Sequence, residues 1–212
     1  MIKWNNIWIY FAIILAAPFG AYGVYSWYQS KFEMLPVIGS ERKGLKDEGE
    51  HRIADYHLIN QDGEVRSTKE WEDKIVVADF FFTTCPTICP KMTASLKKIS
   101  EVYNDDEVLI NSFTVDPERD DPQTLSEYIK KFNLPTQNWD FLTGSKKEIY
   151  KLARNSFMVV ATDGDGGPTD FIHSENLVLV DTKKRIRGYY DGTSEKEVDQ
   201  LIIDIKKLKN EK

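Results

Sequence analysis

The chain has 212 residues, with 28 basic against 34 acidic side chains and a formal net charge of -6 at pH 7. This charge and the absence of any basic cluster argue against nucleic acid as a partner. Its two cysteines, Cys85 and Cys89, are too few for a disulfide framework, and the chain is too long to need one. The pair therefore forms either one structural disulfide or a functional site.

The first 31 residues predict a membrane anchor. No charged side chain occurs between Lys3 and Lys31, and the stretch from Trp8 to Trp27 is apolar or aromatic almost throughout. As a helix, that stretch would span roughly 28 Å, close to the hydrocarbon thickness of a bilayer. We expect one transmembrane helix over residues 1–31, with the rest of the chain on the extracytoplasmic side. A cleaved secretory signal is the alternative.

A tether and one domain are expected after the anchor. Residues 32–50 are charged, contain glycine and lack a periodic apolar pattern, which is typical of a linker. Residues 51–212 are numerous enough to form one compact domain with its own core.

The first elements of this domain are predicted to be a hairpin and a buried strand. Apolar and polar residues alternate on both sides of Asp62-Gly63, a dipeptide that suits a tight hairpin turn. The run KIVVADFFF then predicts a strand buried on both faces, and the two cysteines follow its carboxyl end. Helical spacing of apolar residues follows from Cys89 to Tyr103.

The remaining elements alternate between strands and helices. Strands are predicted in EVLINSFTVD, WDFLTG, NLVLVD and RIRGYYD, and helices in DDPQTLSEYIKKF, SKKEIYKLARN and SEKEVDQLIIDIKKLKN. This order predicts an α/β fold, a mixed sheet with helices on both faces and an extra N-terminal β-hairpin. Because the cysteine pair lies between the first central strand and the following helix, we expect a thioredoxin-like arrangement.

The position of Cys85 and Cys89 predicts reactive thiols. Both follow a central strand at the start of a helix, where free N–H groups stabilise a thiolate, so both should be more acidic than a free cysteine. Positions i and i+4 of a helical turn face the same way, with Cα atoms about 6 Å apart. The two sulfurs can therefore close a disulfide or converge on one metal ion.

One of the three histidines is a candidate third ligand. His51 and His57 lie in the region of the first hairpin, where we expect surface or half-buried structural roles. His173 lies between a loop rich in glycine and aspartate and the strand NLVLVD, from which it could reach a metal held by the cysteines. One imidazole and two thiolates form a ligand set suited to copper. A solvent-exposed loop histidine is the alternative.

Three segments in order resemble the Sco/SenC family of membrane-anchored copper proteins. They are FFFTTCPTICPKM, FTVDPERDDPQTLSEY and DFIHSENLVLVD. The resemblance covers essentially residues 51–212 and implies a thioredoxin-like fold with one copper ion bound by Cys85, Cys89 and His173. It also implies a metallochaperone, rather than an enzyme, that helps assemble the dinuclear copper A centre of cytochrome c oxidase. The partner would be the copper-binding subunit of the oxidase or another copper-transfer protein.

Two other functions stay open at this point. A thiol-disulfide oxidoreductase would use Cys85 and Cys89 as a redox pair that keeps client cysteines reduced, with His173 a bystander or proton donor. A structural zinc site would need a fourth ligand, for which Asp116 or a water is the candidate.

Three more side chains are candidates for a role at the cysteine site. Met92 shares helical spacing with Leu96 and Ile99, so we expect it to pack in the core rather than bind metal. Asp116 ends a predicted strand, at the open end of the sheet, and Asp120 precedes the N-cap of a predicted helix, which favours turn and capping roles. Tuning of the site or docking of a partner is the alternative for these two carboxylates.

Overall fold

The computed structural model describes residues 7–32, 34–39, 50–160, 167, 172 and 174–211. The chain divides into two compact units. The first comprises residues 1–34 with residue 211, and the second comprises residues 35–210 with residue 212.

The first unit contains one long helix, α1, Ile7–Phe32. Among the described residues, no helix is both long and apolar enough to cross a membrane. Of the stretch 1–31 expected to form a transmembrane helix, the structure describes residues 7–31, and no such helix is found there.

Seven strands occur in the described part of the second unit. Two short strands form the predicted hairpin, which turns at Gly63 with a φ of +77°, a value that suits glycine. They are β1 (Leu58–Ile59) and β2 (Val65–Arg66). The other five are β3 (Ile75–Phe81), β4 (Val108–Thr114), β5 (Trp139–Leu142), β6 (Asn176–Val180) and β7 (Ile186–Asp191).

The five longer strands form one mixed sheet in the order β5-β4-β3-β6-β7. β3, β4 and β5 are parallel to one another, whereas β6 is antiparallel to both β3 and β7. Because of these directions, β3 and β4 end where β6 begins, at the same end of the strands. The cysteine segment follows β3 at this end of the sheet.

Helices cover both faces of the sheet, as predicted. The side chains of β3 alternate between two buried clusters, because successive residues of a strand point to opposite faces. On one face they pack against α2 (Ile88–Val102), α3 (Pro122–Phe132) and α5 (Glu195–Asn210). On the other face they pack against α4 (Lys146–Lys151), a following π-helical turn (Leu152–Ser156) and the hairpin region with its 3-10 turn (Thr68–Trp71).

Part of the segment predicted as a tether contacts the edge strand β7. The N–H of Ile38 donates to the carbonyl oxygen of Ile186 at 2.9 Å. The buried guanidinium of Arg187 donates to the carbonyl oxygens of Leu35 and Pro36 at 2.6 and 3.1 Å. These bonds attach residues 35–38 to the sheet on the side away from β5.

Candidate functional site

A tight turn carries the first cysteine away from β3. All seven residues of β3 are buried, and the N–H of Cys85 donates to the carbonyl oxygen of Phe82 at 3.2 Å. Cys85 lies just before α2, and Cys89 lies in its first turn. Both cysteines are buried free thiols, with 8% of Cys85 and 2% of Cys89 exposed.

The sulfur of Cys85 completes the start of α2. The residue at the cap position, Thr87, makes no side-chain capping hydrogen bond. Instead the N–H of Cys89 donates to Sγ of Cys85 at 3.4 Å, so the sulfur satisfies one of the N–H groups left free at a helix start. The two cysteines are thus joined by a direct contact as well as by sequence.

The same contacts make the two thiols chemically unequal. Burial raises the pKa of the Cys85 thiol, but hydrogen bonds from the Cys89 thiol and from backbone N–H groups of residues 87–89 outweigh it, so this pKa lies below its ordinary value. Burial, together with the hydrogen bond to Cys85, raises the pKa of Cys89 to about 12. The expectation of an acidic thiol is confirmed for Cys85 and is wrong for Cys89, because the sulfur of Cys89 points into the core.

A buried carboxylate holds the chain in place between β3 and Cys85. Asp120, only 1% exposed, accepts hydrogen bonds from the N–H and the hydroxyl of Thr83 at 3.1 and 2.5 Å. It also accepts from the hydroxyl of Thr114 at 2.5 Å. Asp120 therefore ties the ends of β3 and β4 together two residues before Cys85. This role goes beyond the turn and capping role expected from the sequence.

A second buried carboxyl, Asp79, was not singled out from the sequence. It lies within β3 and accepts from the hydroxyl of Ser112 at 2.5 Å, and Ser112 in turn accepts from the indole N–H of Trp139 at 2.9 Å. Burial raises the pKa of Asp79 to about 7, although the bond from Ser112 opposes this. Its charge also contributes to the raised pKa of Cys89. An acidic residue within a run predicted to be buried on both faces was the signal that could have identified it.

The other predicted side chains that are described lie in the core or at the surface. Met92 is fully buried in the same cluster as the cysteines, which confirms core packing. His51 is half-buried, and its Nε2 lies 2.7 Å from the carbonyl oxygen of Ser156, whereas His57 is exposed. Asp116 pairs with Arg119 at 3.5 Å.

His173 lies outside the described residues. Among those that are described, no group of three or more histidine, cysteine, aspartate or glutamate side chains is arranged to hold a metal ion. The structure therefore brings Cys85 and Cys89 together but does not add Asp116 to them as a zinc ligand.

The family of the chain follows from its match to known sequences. A family model described as SCO1/SenC matches residues 45–210. The chain belongs to the SCO1/SenC family.

Three solved structures of Sco proteins are similar to this SCO1/SenC chain. A SCO1/SenC family lipoprotein from Bacillus anthracis str. Ames is 34% identical with a TM-score of 0.66, over 79% of this chain and 98% of that one. BsSco, a Sco family cytochrome c oxidase assembly protein with a disulfide switch, is 34% identical with a TM-score of 0.65, over 76% and 95%. Arabidopsis thaliana ScoI with copper bound is 30% identical with a TM-score of 0.56, over 74% and 98%. The mixed α/β fold of this family member matches theirs.

The inequality of the two thiols predicts their order of modification. With limiting iodoacetamide, Cys85 should be alkylated before Cys89, because Cys85 has the lower pKa and the larger exposed fraction. Mass spectrometry of the digested chain measures each site. The Cys89→Ser variant should keep the fast reaction and the Cys85→Ser variant should lose it. Equal labelling of both cysteines in the unchanged chain would contradict this assignment.

The raised pKa of Asp79 predicts a pH-dependent stability. Between 3.8, its ordinary pKa, and about 7, the folded chain keeps a proton that the unfolded chain releases, so stability falls as pH rises through this window. Replacing Asp79 by Asn should raise the free energy of unfolding by up to about 4 kcal/mol above pH 7, and by much less near pH 4.

Urea unfolding at both pH values, with the thiols kept reduced, measures this difference. Asp106→Asn is the matched control, because the Asp106 side chain is 94% exposed and should give no comparable change. A stability gain from Asp79→Asn that is the same at both pH values would show that burial does not raise the pKa of this carboxyl.

Proposed function

We propose that this chain is a copper metallochaperone that helps assemble the copper A centre of cytochrome c oxidase. The observation that carries the proposal is the pair of free thiols at the carboxyl end of β3, where the Cys89 N–H contacts Sγ of Cys85. Thiolate sulfur is a soft ligand that favours Cu(I), which fits copper as the cargo. Copper bound in Arabidopsis thaliana ScoI supports the same ion here.

His173 is proposed as the third copper ligand. Support comes from the direction of β6, which is antiparallel to β3 and pairs with it through Val178 and Ala78. The start of β6 therefore lies at the end of the sheet where β3 ends. His173 precedes Asn176, the first residue of β6, by three residues. One imidazole would complete a compact set of one nitrogen and two sulfur ligands.

The unequal thiols suggest an order of events at the site. Cys85 is the more exposed and the more acidic of the two, so it offers the first thiolate to an incoming ion. Cys89 keeps its proton in the absence of metal and releases it only when copper binds, since ligation requires the thiolate. Transfer to the partner would proceed by ligand exchange in the reverse order, beginning at Cys89, which regains its proton.

The proposed recipient is the copper-binding subunit of cytochrome c oxidase or another copper-transfer protein. The description of BsSco as a cytochrome c oxidase assembly protein supports this choice. We also infer that the second unit lies on the extracytoplasmic side of a membrane, which the lipoprotein relative from Bacillus anthracis supports.

Copper binding by the full chain tests the proposed function. With reduced thiols, one copper ion should bind per chain, and Cys85→Ser, Cys89→Ser and His173→Ala should each weaken binding by about tenfold or more, since each removes a ligand. Competition with a chelator of known affinity measures the change. His57→Ala is the control, because His57 is exposed and the variant should bind copper normally. If His173→Ala also binds normally, His173 is not a ligand.

A thiol-disulfide oxidoreductase is the second candidate. The difference between the pKa values of the two cysteines favours this function. The acidic, partly accessible Cys85 is suited to attack a client disulfide, and the protonated Cys89 beside it is suited to resolve the mixed disulfide. The disulfide switch described for BsSco also supports it. Reduction of a client disulfide that persists without copper and in the His173→Ala variant would favour this function over copper transfer.

The location of the second unit can be tested in intact cells. Protease added outside the cytoplasmic membrane should cleave the second unit if it is extracytoplasmic. A cytoplasmic marker protein should stay intact in the same sample. Full protection of the second unit, lost when the membrane is broken, would contradict the proposed location.

A further inference from the structure

We propose that the hydroxyl of Tyr150 is a positioning group for the third copper ligand. The inference rests on the proposed function, in which His173 binds the ion. Tyr150 lies in α4 and is 1% exposed. Its hydroxyl donates to the carbonyl oxygen of Val115 at 2.9 Å and accepts from the N–H of Ile172, the residue directly before His173, at 3.4 Å.

The hydroxyl joins Ile172 to β3, the strand that precedes the cysteines. The N–H of Val115 donates to the carbonyl oxygen of Phe81 at 2.8 Å. Phe81 is the last residue of β3 and lies four residues before Cys85. Three successive hydrogen bonds therefore run from the end of β3 through Val115 and Tyr150 to Ile172. They link the backbone next to the cysteines with the backbone next to His173.

Ile172 is held by its side chain as well as by its N–H. The side chain is 1% exposed and belongs to the buried cluster that includes Ile149 and Tyr150. A residue fixed by core packing and by a hydrogen bond has few accessible backbone conformations. The backbone at Ile172, the residue before His173 in sequence, is therefore held in place.

A second contact from α4 holds the same part of the chain. One turn before Tyr150, the ammonium of Lys146 donates to the carbonyl oxygen of Gly167 at 3.1 Å and lies 5.2 Å from the centroid of the Tyr150 ring. Lys146 and Tyr150 are four residues apart and therefore share one face of the helix. This face contacts the chain at two points, Gly167 and Ile172.

The backbone after α4 is also strained. The π-helical turn, Leu152–Ser156, ends just before Met158, whose φ of +51° is a conformation that side chains other than glycine rarely adopt. Such strain persists only where the surrounding structure enforces it, and it concentrates at functional sites. Here the N–H of Val159 donates to the carbonyl oxygen of Ala153 at 3.0 Å, which holds the turn.

The contacts of Tyr150 predict a specific defect when the hydroxyl is removed. Tyr150→Phe keeps the ring and its packing but loses the bonds to Val115 and Ile172. The cysteines should be unaffected, whereas His173 should hold copper less well. Loss of a group that orients a metal ligand typically costs about tenfold in affinity, and we expect a loss of that order.

The experiment compares Tyr150→Phe with Tyr103→Phe in the full chain. The control also removes a hydroxyl that donates to a backbone carbonyl, that of Ile202 at 2.6 Å, but in the packing of α2 against α5. Copper affinity should fall only in Tyr150→Phe. The nitrogen hyperfine coupling of bound Cu(II) in the electron paramagnetic resonance spectrum should weaken in the same variant. The alkylation rate of Cys85 should be unchanged in both.

A double-mutant cycle separates positioning from general destabilisation. If Tyr150 acts through His173, Tyr150→Phe should cause no further loss of affinity when His173 is already alanine. Equal losses in both backgrounds, or unchanged affinity and coupling in Tyr150→Phe, would overturn the inference. Unchanged affinity in His173→Ala alone would instead overturn the assignment of His173 as a ligand.

Lys146→Met provides an independent variant should Tyr150→Phe fold poorly. It removes the bond to Gly167 and leaves the Tyr150 hydroxyl in place, so we expect a smaller loss of affinity in the same direction. Lys147→Met is its control for charge, since Lys147 is the exposed neighbour on another face of α4. A loss of the same size in both lysine variants would also contradict positioning by α4.

Discussion

β3 is buried along its whole length, with β4 paired on one side and β6 on the other. A strand held on both edges and both faces cannot shift its register without exposing apolar side chains, so the point at which the chain leaves the sheet is fixed. The turn from Phe82 to Cys85 and the start of α2 follow from this point. Asp120 adds a second restraint, because its carboxylate accepts from Thr83 at the end of β3 and from Thr114 at the end of β4. The cysteines thus occupy a position determined by the core.

The position of the two cysteines at the start of α2 also explains why their pKa values differ. The first turn of a helix presents free N–H groups on its outer end and apolar side chains on its inner face. Cys85 precedes the helix and receives the N–H groups, whereas Cys89 belongs to the helix and packs among apolar residues. Although the two residues are only four positions apart, Cys85 is stabilised as a thiolate and Cys89 as a neutral thiol. Burial and hydrogen bonds are the main causes of this difference in pKa, and the charge of Asp79 adds to it.

The order of elements could be predicted from the sequence because local patterns and burial agree. The apolar run of β3, the hairpin turn at Asp62-Gly63 and the start of α3 each carry their own signal. For α3, Asp121 accepts from the N–H of Thr124 at 2.8 Å, as a residue at a helix cap does, and Pro122 follows it.

The details of the site could not be predicted in the same way. The pKa of Cys89 depends on which way one sulfur faces, and the contact between Tyr150 and Ile172 joins residues 22 positions apart. Neither leaves a periodic signal in the sequence. Asp79 is marked in the sequence as the single acidic residue in an apolar run. Its hydrogen bond from Ser112, however, depends on the register of β3 against β4.

The unequal thiols bear on how such a site could hold copper and still release it. Two adjacent thiolates repel each other, and burial increases the cost of the second charge. Without metal, the pair therefore keeps the proton of Cys89, and a bound cation must displace it. Copper and protons compete for the same sulfurs, so affinity depends on pH and on any group that favours the protonated state. A partner that offers ligands without this cost would gain copper by exchange, and the returning proton would restore the resting pair.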